Sequence, residues 1–347
     1  MISTIELTSK VIDQGLCTNC GACQGMCPYW YSEKGRTSHC FECNREDGRC
    51  LNFCPMMPTD HASLLKMFFP EENILPELGP FRGLYLTRAT DKDIAKESQH
   101  GGTVTALLKL ALKEGFIDAA VLSRSEGGLE PQGVLAVTQD DIMSCRGSSF
   151  QIPPTLAVLN QALIENKYHH IAVVGTPCKA LAVRKIMSKS FPEQSNNADN
   201  ISIIFGLFCG WGLDWKGLSD TVGQHVDAGQ VEHMDILPSQ YKCMELCGEF
   251  GSKQIRLEQI YPLVRYNCRH CKDLTAQYAD ISIGGARSAD GWDEDKHWNQ
   301  VIVRSEKGQK LLDLAREQGV LEFKDVPEGN LDKLKKAAQS KRDKAVG

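Results

Sequence analysis

Cysteine is concentrated at the start of this chain, where eight of the fifteen cysteines lie within the first 54 residues. They form two runs, Cys17-x2-Cys20-x2-Cys23-x3-Cys27-Pro28 and Cys40-x2-Cys43-x6-Cys50-x3-Cys54-Pro55. In the pattern of the first run, three cysteines hold one iron–sulfur cluster and the fourth, which precedes proline, ligates a second cluster. The two runs therefore predict two [4Fe-4S] clusters and a protein that transfers single electrons.

The crossed pattern divides these cysteines into two sets of four. One cluster is expected on Cys17, Cys20, Cys23 and Cys54, and the other on Cys40, Cys43, Cys50 and Cys27. The second run departs from the strict spacing, because a polar segment at 44–49 separates its second and third cysteines. Such a segment is typical of a surface turn. Because of this insertion, the sequence leaves open which cysteines cross between the clusters. The predicted number of clusters remains two.

Zinc binding and disulfide formation are the alternatives for clustered cysteines. Four-cysteine zinc sites usually pair two Cys-x2-Cys units across a long gap, whereas here three closely spaced cysteines precede x3-Cys-Pro. A disulfide framework is typical of short exported chains, and residues 1–10 contain no hydrophobic export segment. Iron–sulfur clusters are therefore the preferred interpretation.

A third group of cysteines lies beyond residue 170, close to the ends of predicted strands. Its members are Cys178, Cys209, Cys268 and Cys271. The first two follow apolar runs, and the last two form a Cys-x2-Cys in a polar loop. Since α/β folds place their chemistry at strand ends, we expect these four thiolates to hold a third cluster. The alternative is that the two strand-end cysteines are ordinary buried small residues.

Three cysteines have no role in this scheme, namely Cys145, Cys243 and Cys247. The pair Cys243-x3-Cys247 could supply alternative ligands or part of a fourth cluster. Two or three thiolates do not complete a cubane, so the sequence leaves the role of all three open.

Composition excludes several classes of protein. The chain has 347 residues, of which 42% are apolar, so it can bury a core and form two or three domains. Its formal charge of −5 argues against a nucleic-acid partner. No apolar run approaches the roughly 20 residues of a transmembrane helix. We therefore expect a cytoplasmic protein, free or peripheral on a membrane complex, in a reducing compartment.

Four segments are expected along the chain. Residues 1–70 form a small ferredoxin-like α+β domain with two clusters, and the proline-containing residues 71–80 form a linker. Residues 81–330 form an α/β domain with a mixed sheet, and residues 331–347 form a basic helical tail. A solvated final helix is the preferred interpretation of that tail, and a docking patch for an acidic partner is the alternative.

Apolar patterns locate the main elements of the α/β domain. Strands are predicted at 119–122, 133–137, 171–174, 201–208, 281–283 and 301–303. Helices are predicted at 103–112 and 310–317, where apolar residues recur at helical spacing. This mixture indicates an α/β domain, although the order of the strands cannot be inferred from it.

Two glycines at the first of these helices indicate an anion site. In Ser98-Gln99-His100-Gly101-Gly102-Thr103, backbone amides and the helix dipole would favour a flavin phosphate or a pyrophosphate. Further small-residue loops lie at 145–149 and 284–288. A tight turn alone would also explain the glycines. His100 is a candidate proton donor beside a flavin, with an ordinary loop histidine as the alternative.

Several segments taken in order resemble the family of beta subunits of coenzyme F420 hydrogenases and dehydrogenases. They are SQHGGTVTALL at 98–108, GTPC at 175–178, FC at 208–209 and CRHCKDLTAQYADISIG at 268–284. The resemblance covers roughly residues 81–310. The N-terminal cluster motifs resemble the version found in the F420H2 dehydrogenase input subunit and in formate dehydrogenase beta subunits. The resemblance over residues 81–310 implies FAD, a [4Fe-4S] cluster and hydride exchange with a deazaflavin.

The resemblance also implies site residues. Its cluster ligands fall on the same four cysteines that the spacing selects. Its flavin contacts fall on Ser98, Gly101, Gly102, Thr103, Thr105, Gly147, Ser148, Ser149, Gly175, Thr176 and Pro177. The family usually has an acidic residue at the position of His100 and Lys-Tyr at the position of Ser149-Phe150. Members of the same fold that reduce tetrapyrroles with ferredoxin electrons use no deazaflavin.

The expected function is conversion between hydride chemistry and single-electron transfer. The partners would be a small hydride carrier and a larger redox complex, such as a hydrogenase, formate dehydrogenase or heterodisulfide reductase, or else ferredoxin. Arg146, Lys179 and Arg265 are candidate contacts for a polyanionic deazaflavin. The alternatives are a ferredoxin-dependent reductase of an organic substrate, or an adaptor whose flavin mediates only between protein partners.

Overall fold

The computed structural model describes residues 2–125, 129, 131–189, 191, 195–238, 240–288 and 291–346. The strands are β1 Trp30–Glu33, β2 Arg36–His39, β3 Asn73–Leu75, β4 Gly79–Phe81, β5 Gly83–Ala89, β6 Ala119–Ser125, β7 Pro131–Ala136, β8 Ile171–Gly175, β9 Ile201–Leu207, β10 His233–Ile236, β11 Cys243–Gly248, β12 Gly251–Arg256, β13 Ile281–Gly285, β14 Asn299–Val303 and β15 Leu321–Lys324. The α-helices are α1 Ser3–Leu7, α2 Arg49–Phe53, α3 His61–Phe68, α4 Lys92–Glu97, α5 Thr103–Lys113, α6 Gln139–Ser144, α7 Thr155–Glu165, α8 Pro177–Ser188, α9 Trp215–Gly223, α10 Leu257–Ile260, α11 Trp292–Asp295, α12 Glu306–Glu317 and α13 Asn330–Lys344.

An eight-stranded mixed sheet organises the chain, in the order β15-β5-β14-β13-β9-β8-β6-β7. The four central strands β13, β9, β8 and β6 are parallel to one another, and the outer strands pair antiparallel. The mixed sheet predicted from the sequence is thus confirmed. A second, three-stranded antiparallel sheet is formed by β10, β11 and β12.

Helices cover both faces of the large sheet. On one face, α5 and α12 pack on the sheet through residues such as Leu107 and Leu311. On the other face, α7 and α8 bury Leu159 and Val183. The central strands are buried on both faces, which explains their continuous apolar sequences. All six predicted strands and both predicted helices are present, whereas β5, β15 and the small sheet carry patterns too weak for the sequence to reveal.

The N-terminal unit has a small core of its own. Leu7, Val11, Trp30 and Cys50 are buried together, and several other cysteines pack against them. Its loops are tied to the large domain by hydrogen bonds to backbone carbonyls. Asn160 donates its side-chain amide to Gln24 O at 2.6 Å, and Lys185 Nζ donates to Cys54 O at 2.6 Å. The cluster loops are therefore held directly on α7 and α8.

Gly21 packs tightly against the start of α7. Its φ is +87°, and a Cβ there would lie 2.5 Å from Pro154 O and 2.7 Å from Ala157 N. We expect Gly21→Ala to lower the unfolding midpoint of the anaerobic holoprotein well beyond Gly15→Ala, because rigid backbone must move. Gly15→Ala is the control for backbone strain, because Gly15 has a similar φ of +68°. A Cβ there would lie 3.4 Å from Tyr266 Cδ1, which is an ordinary contact distance. Equal midpoints would contradict the tight docking.

The predicted linker and tail are both packed against the large domain. Residues 73–81 form the hairpin β3–β4, and Arg304 Nη1 donates to the carbonyls of Leu78 and Pro80 at 2.6 and 2.8 Å. In α13, Leu334 and Ala338 are buried against Leu78. The tail is therefore a solvated helix only on its outer face, because an apolar stripe anchors its inner one. Within the described ranges, no helix is both long and apolar enough to cross a bilayer.

A buried ion pair joins α8 to β13. Arg184 Nη2 lies 3.1 Å from Asp280 Oδ1, and each side chain is only 2% exposed. Burial acts to raise the pKa of Asp280, but the positive charge of Arg184 and hydrogen bonds from Ser305 and the Ile204 amide outweigh it and hold the pKa low. The carboxylate is therefore ionised in the folded protein.

We expect Asp280→Asn to lower the free energy of unfolding by about 3–5 kcal/mol, because it leaves the Arg184 guanidinium buried without its counter-charge. Urea unfolding of the anaerobic holoprotein measures the effect. Glu322→Gln is the matched control, since Glu322 pairs with Arg88 at 2.7 Å but the two side chains are 48% and 40% exposed. Its effect should stay below about 1 kcal/mol. Similar losses in both variants would contradict the assignment.

Candidate redox site

A large cavity opens at the carboxyl ends of β8, β9 and β13 and is closed on its other side by β10. Its volume is about 970 Å³, which suits a large cofactor. The predicted flavin contacts that line it are Ser98, Gly102, Thr103, Thr105, Gly147, Ser148, Ser149, Gly175 and Thr176. Three loops distant in the sequence thus meet at one strand edge, where open α/β sheets bind ligands.

Two of the predicted flavin contacts lie elsewhere. Gly101 lines a neighbouring cavity of about 340 Å³, which shares His100 with the large one. Pro177 is buried as the first residue of α8. Its ring sets the helix start rather than facing the cavity, as proline at a first helical position commonly does.

The Gly101-Gly102 turn is required by packing. A Cβ on Gly101 would lie 2.7 Å from Thr87 O, and one on Gly102, whose φ is +71°, would lie 2.6 Å from Ile94 Cγ2. The Thr103 amide already donates to Asn299 Oδ1 at 3.0 Å. The next two amides of α5, at 104 and 105, are the first-turn donors left for an anion at the cavity wall.

Gln151 is a buried polar side chain without an internal partner. It is 2% exposed, lines the large cavity, and neither atom of its amide has a hydrogen-bond partner among the described residues. An unsatisfied buried polar group costs about 1–3 kcal/mol. The cavity wall therefore presents a donor and an acceptor to a polar ligand, which fits the edge of a flavin ring or its ribityl chain.

His100 belongs to a group of polar side chains on the same wall. Its Nε2 lies 4.0 Å from Asp235 Oδ2, and Gln99 Nε2 donates to Asp235 Oδ1 at 2.6 Å. The imidazole packs edge-on against Trp292, and Arg287 stacks over the same indole. Burial lowers the pKa of His100 and raises that of Asp235, and in each case burial outweighs the attraction between the two. Burial in this wall therefore disfavours the charged form of each group.

The four cysteines of the third set converge beside this cavity. Cys209 lines the cavity itself, and its thiol interacts electrostatically with those of Cys178, Cys268 and Cys271. Cys268 Sγ accepts a hydrogen bond from the Gly212 amide at 3.2 Å. Cys178 lies in the first turn of α8, and the Cys-x2-Cys spans the short 3-10 helix at 266–270. The structure thus brings together the set predicted from spacing.

The chemistry of this set suits a cluster. Burial raises the pKa of Cys268 to about 11 and raises that of Cys209 further. Four half-buried thiols that must ionise together favour a cationic centre among them. No three His, Cys, Asp or Glu side chains within the described ranges are placed to hold a single metal ion. A cubane places a separate iron at each thiolate, so its ligands stand farther apart than those of mononuclear zinc.

The N-terminal cysteines lie close together, with most of their contacts inside the two predicted sets. Cys23 interacts electrostatically with Cys20, Cys17 and Cys54, but also with Cys50 of the other set, and Cys54 interacts with Cys17. In the other group, Cys50 interacts with Cys27 and Cys43. The exposed Cys40 lies next to Tyr29, two residues after Cys27, with its Sγ 3.3 Å from Tyr29 O. All of these contacts except that between Cys23 and Cys50 lie within the sets of the crossed pattern.

The N-terminal and third sets adjoin each other at Lys179. The thiol of Cys20 interacts with that of Cys178, and Lys179 interacts with Cys178, Cys20 and Cys209. Lys179 is 3% exposed and donates to Thr155 Oγ1 at 2.7 Å. Burial lowers its pKa to about 8. The cavity, the third set and the first N-terminal set therefore follow one another in space.

The other two predicted cationic contacts have different positions. Arg146 lines the large cavity, as does Lys179. Arg265 instead donates to Cys17 O at 2.9 Å and to Gly35 O at 3.1 Å, and so fastens the N-terminal unit to the large domain. Its predicted contact with a deazaflavin does not match this position.

The three unassigned cysteines also separate. Cys145 lines the large cavity. Cys243 and Cys247 lie on β11 in the small sheet, where burial and the neighbouring Glu245 raise the pKa of each thiol. This pair is therefore positioned by the small sheet, whereas the third set lies near the strand ends of the large sheet.

Family models match most of the chain. Two of them describe the "Coenzyme F420 hydrogenase/dehydrogenase, beta subunit": the model of its N-terminal part matches residues 84–160, and the model of its C-terminal part matches residues 168–329. A "4Fe-4S binding domain" model matches residues 10–29.

Individual relatives agree with these models. A subunit of the F420H2 dehydrogenase of Methanosarcina mazei is 30% identical over 96% of this chain and 91% of its own length. The beta subunit of the coenzyme F420 hydrogenase of Methanococcus voltae is 28% identical over 77% of this chain and 93% of its own. A chain in the solved F420-reducing [NiFe] hydrogenase complex of Methanosarcina barkeri superposes with a TM-score of 0.71 at 30% identity, over 79% of this chain and 92% of that one.

Proposed function

This chain belongs to the family of coenzyme F420 hydrogenase/dehydrogenase beta subunits, and from that premise we propose that it is an FAD- and iron–sulfur-dependent electron-transfer subunit. It would interconvert the hydride chemistry of a small carrier and single-electron transfer through three [4Fe-4S] clusters to a partner redox complex. Bound FAD supplies the step between two-electron and one-electron chemistry, and the protein supplies binding, orientation and electrostatics.

One observation carries the proposal. Most of the predicted flavin contacts line the large cavity, and Cys209, a member of the third cysteine set, lines it as well. That set adjoins the first N-terminal set through Cys178 and Cys20. A flavin in the cavity would therefore share a wall with a cluster, and a second cluster would follow directly.

The chain's own residues would bind the cofactor and manage a proton. The amides at 104 and 105 and the hydroxyls of Ser148 and Ser149 are suited to phosphate and polar flavin atoms. Taking in a hydride and releasing two electrons singly leaves one proton. We assign that proton to His100, which lines the cavity and whose Nε2 lies 4.0 Å from Asp235 Oδ2. Asp235 would stabilise the imidazolium that forms.

Coenzyme F420 is the proposed hydride carrier, because relatives that match most of this chain are F420 hydrogenase and F420H2 dehydrogenase subunits. Arg146 and Lys179 at the cavity wall are candidate contacts for its negative charges. The exposed Cys40 places the second N-terminal set at the surface, which suits electron exchange with a partner complex.

Anaerobic purification with iron, sulfide and flavin analysis tests the proposal. We expect about twelve irons and one FAD per chain, since each cubane holds four irons. The flavin should bleach with reduced F420 and not with NADH. About eight irons would remove the third cluster from the proposal, and bleaching by NADH alone would replace the carrier. Turnover of an organic substrate with reduced ferredoxin, and none with F420, would favour the reductase alternative.

A further inference from the structure

The C-terminal helix α13 reaches the third cysteine set from outside the region that the family models match, which ends at residue 329. Near the end of this helix, Lys341 Nζ donates to Cys209 O at 2.6 Å and to Asp273 O at 2.7 Å. One side chain thus bridges the two segments that carry three of the four cysteines. The helix is held at its other end by Leu334, which is buried in the core.

Two neighbouring contacts fasten the same end of the chain. The Val346 amide donates to Arg269 O at 2.8 Å, inside the Cys-x2-Cys motif. Arg342 Nη2 donates to Glu77 O at 3.1 Å in the segment before β4. Together with Lys341, these bonds tie the last turn of α13 and the residues after it across the loop that presents Cys268 and Cys271.

Lys341 also brings positive charge to this set. Its Nζ contacts the backbone of the two segments that carry Cys209 and Cys271. Because the ordinary pKa of a lysine is about 10.4, the ammonium is a positive charge beside these cysteines at neutral pH.

We propose that α13 is a strap across the third cluster and that Lys341 is a positioning residue whose charge raises the reduction potential of that cluster. The inference rests on the proposed function, because it requires a cluster at the four cysteines. A cluster at the four cysteines would gain negative charge on accepting one electron from a reduced flavin. The ammonium of Lys341 would stabilise that added charge until the electron passed to an N-terminal cluster.

Net charge and hydrogen bonding are among the factors that set the potential of an iron–sulfur cluster. A unit charge this close to a cluster is screened less than it would be in bulk water. It should therefore change the equilibrium constant for reduction of the cluster by at least about tenfold. For a one-electron couple, a tenfold change corresponds to about 59 mV. The strap would thus make the third cluster a better acceptor for flavin electrons.

The test is a redox titration of the anaerobic full-length holoprotein, followed by electron paramagnetic resonance. The third cluster is identified as the signal that Cys268→Ala removes. We expect Lys341→Gln, whose amide can still donate to one carbonyl, to lower the ratio of reduced to oxidised third cluster at fixed potential about tenfold or more. Lys341→Arg should restore the ratio. Lys344→Gln, which removes the same charge from an exposed position on the same helix, should leave it unchanged.

The outcomes separate this inference from the proposed function. About twelve irons in Lys341→Gln with an unmoved third potential would overturn the inference and leave the proposed function intact. About eight irons in the wild-type protein would remove the third cluster itself. Loss of about four irons in Lys341→Gln, with retention in Lys341→Arg, would support the strap, because the charge would then be needed to keep the cluster in place.

Discussion

Replacing Cys268 with alanine is expected to remove about four of about twelve irons per chain and to cut the N-terminal clusters off from hydride chemistry. The thiol of Cys268 interacts with those of Cys178 and Cys271, and its sulfur accepts a hydrogen bond from the Gly212 amide. Without it the set has three thiolates and a buried gap. Two or three thiolates do not complete a cubane, so the whole cluster should be lost.

The kinetic consequence follows from the position of the set. Cys209 walls the cavity, and Cys178 interacts with Cys20 of the first N-terminal set. A third cluster held by this set would therefore lie between the proposed flavin and the N-terminal clusters. In Cys268→Ala, the hydride donor should still bleach the flavin in stopped-flow experiments, while reduction of the N-terminal clusters falls to background.

Cys243→Ala is the matched control for this experiment. Cys243 is a cysteine of low exposure, at 4%, that lies on β11 in the small sheet, away from the third set. Its iron content and rates should equal those of the wild type. Full iron in Cys268→Ala, or a loss of about four irons in Cys243→Ala, would show that the third cluster has been assigned to the wrong cysteines.

The grouping of the cysteines could be predicted because it depends on short-range spacing and on strand ends. Two of the four third-set ligands come from one Cys-x2-Cys, and the other two follow β8 and β9, adjacent parallel strands whose carboxyl ends share one edge. The buried central strands could be predicted as well, because a strand that is buried on both faces has a continuous apolar sequence.

The polar wall of the cavity could not be predicted in the same way. Asp235 comes from β10 of the small sheet and Arg287 from the loop after β13 of the large sheet, and each comes near His100 only in the folded structure. Neither stands in a recognisable motif. Their separations of 135 and 187 residues from His100 leave no local pattern to detect.

The C-terminal helix shows the same limit. Its sequence displays many lysines and arginines, which favours a solvated helix. The contact of Lys341 with Cys209 O depends on how Leu334 and Ala338 pack against Leu78. Only the folded arrangement separates Lys341 from exposed lysines of the same helix, such as Lys344.

Replacing Gln151 with leucine is expected to change the stability of the protein and its affinity for flavin in opposite directions. The side-chain amide is 2% exposed, and its nitrogen and oxygen have no partner among the described residues. Leucine has a similar volume and carries no polar atom to leave unsatisfied. Flavin-depleted Gln151→Leu should therefore be more stable than the flavin-depleted wild type by about 1–3 kcal/mol.

Flavin binding should be weaker in the same variant, because the amide lines the cavity and FAD would supply the partners that the protein does not. A loss of about 1–3 kcal/mol corresponds to an increase in Kd of roughly 5- to 150-fold. Urea unfolding and fluorescence titration with FAD, both on anaerobic protein, measure the two effects. Gln254→Leu, on the exposed strand β12, makes the same chemical change outside the cavity and should alter neither. Unchanged FAD affinity in Gln151→Leu would mean that this amide does not contact the flavin, and lower stability would mean that a bound water or another internal group already satisfies it.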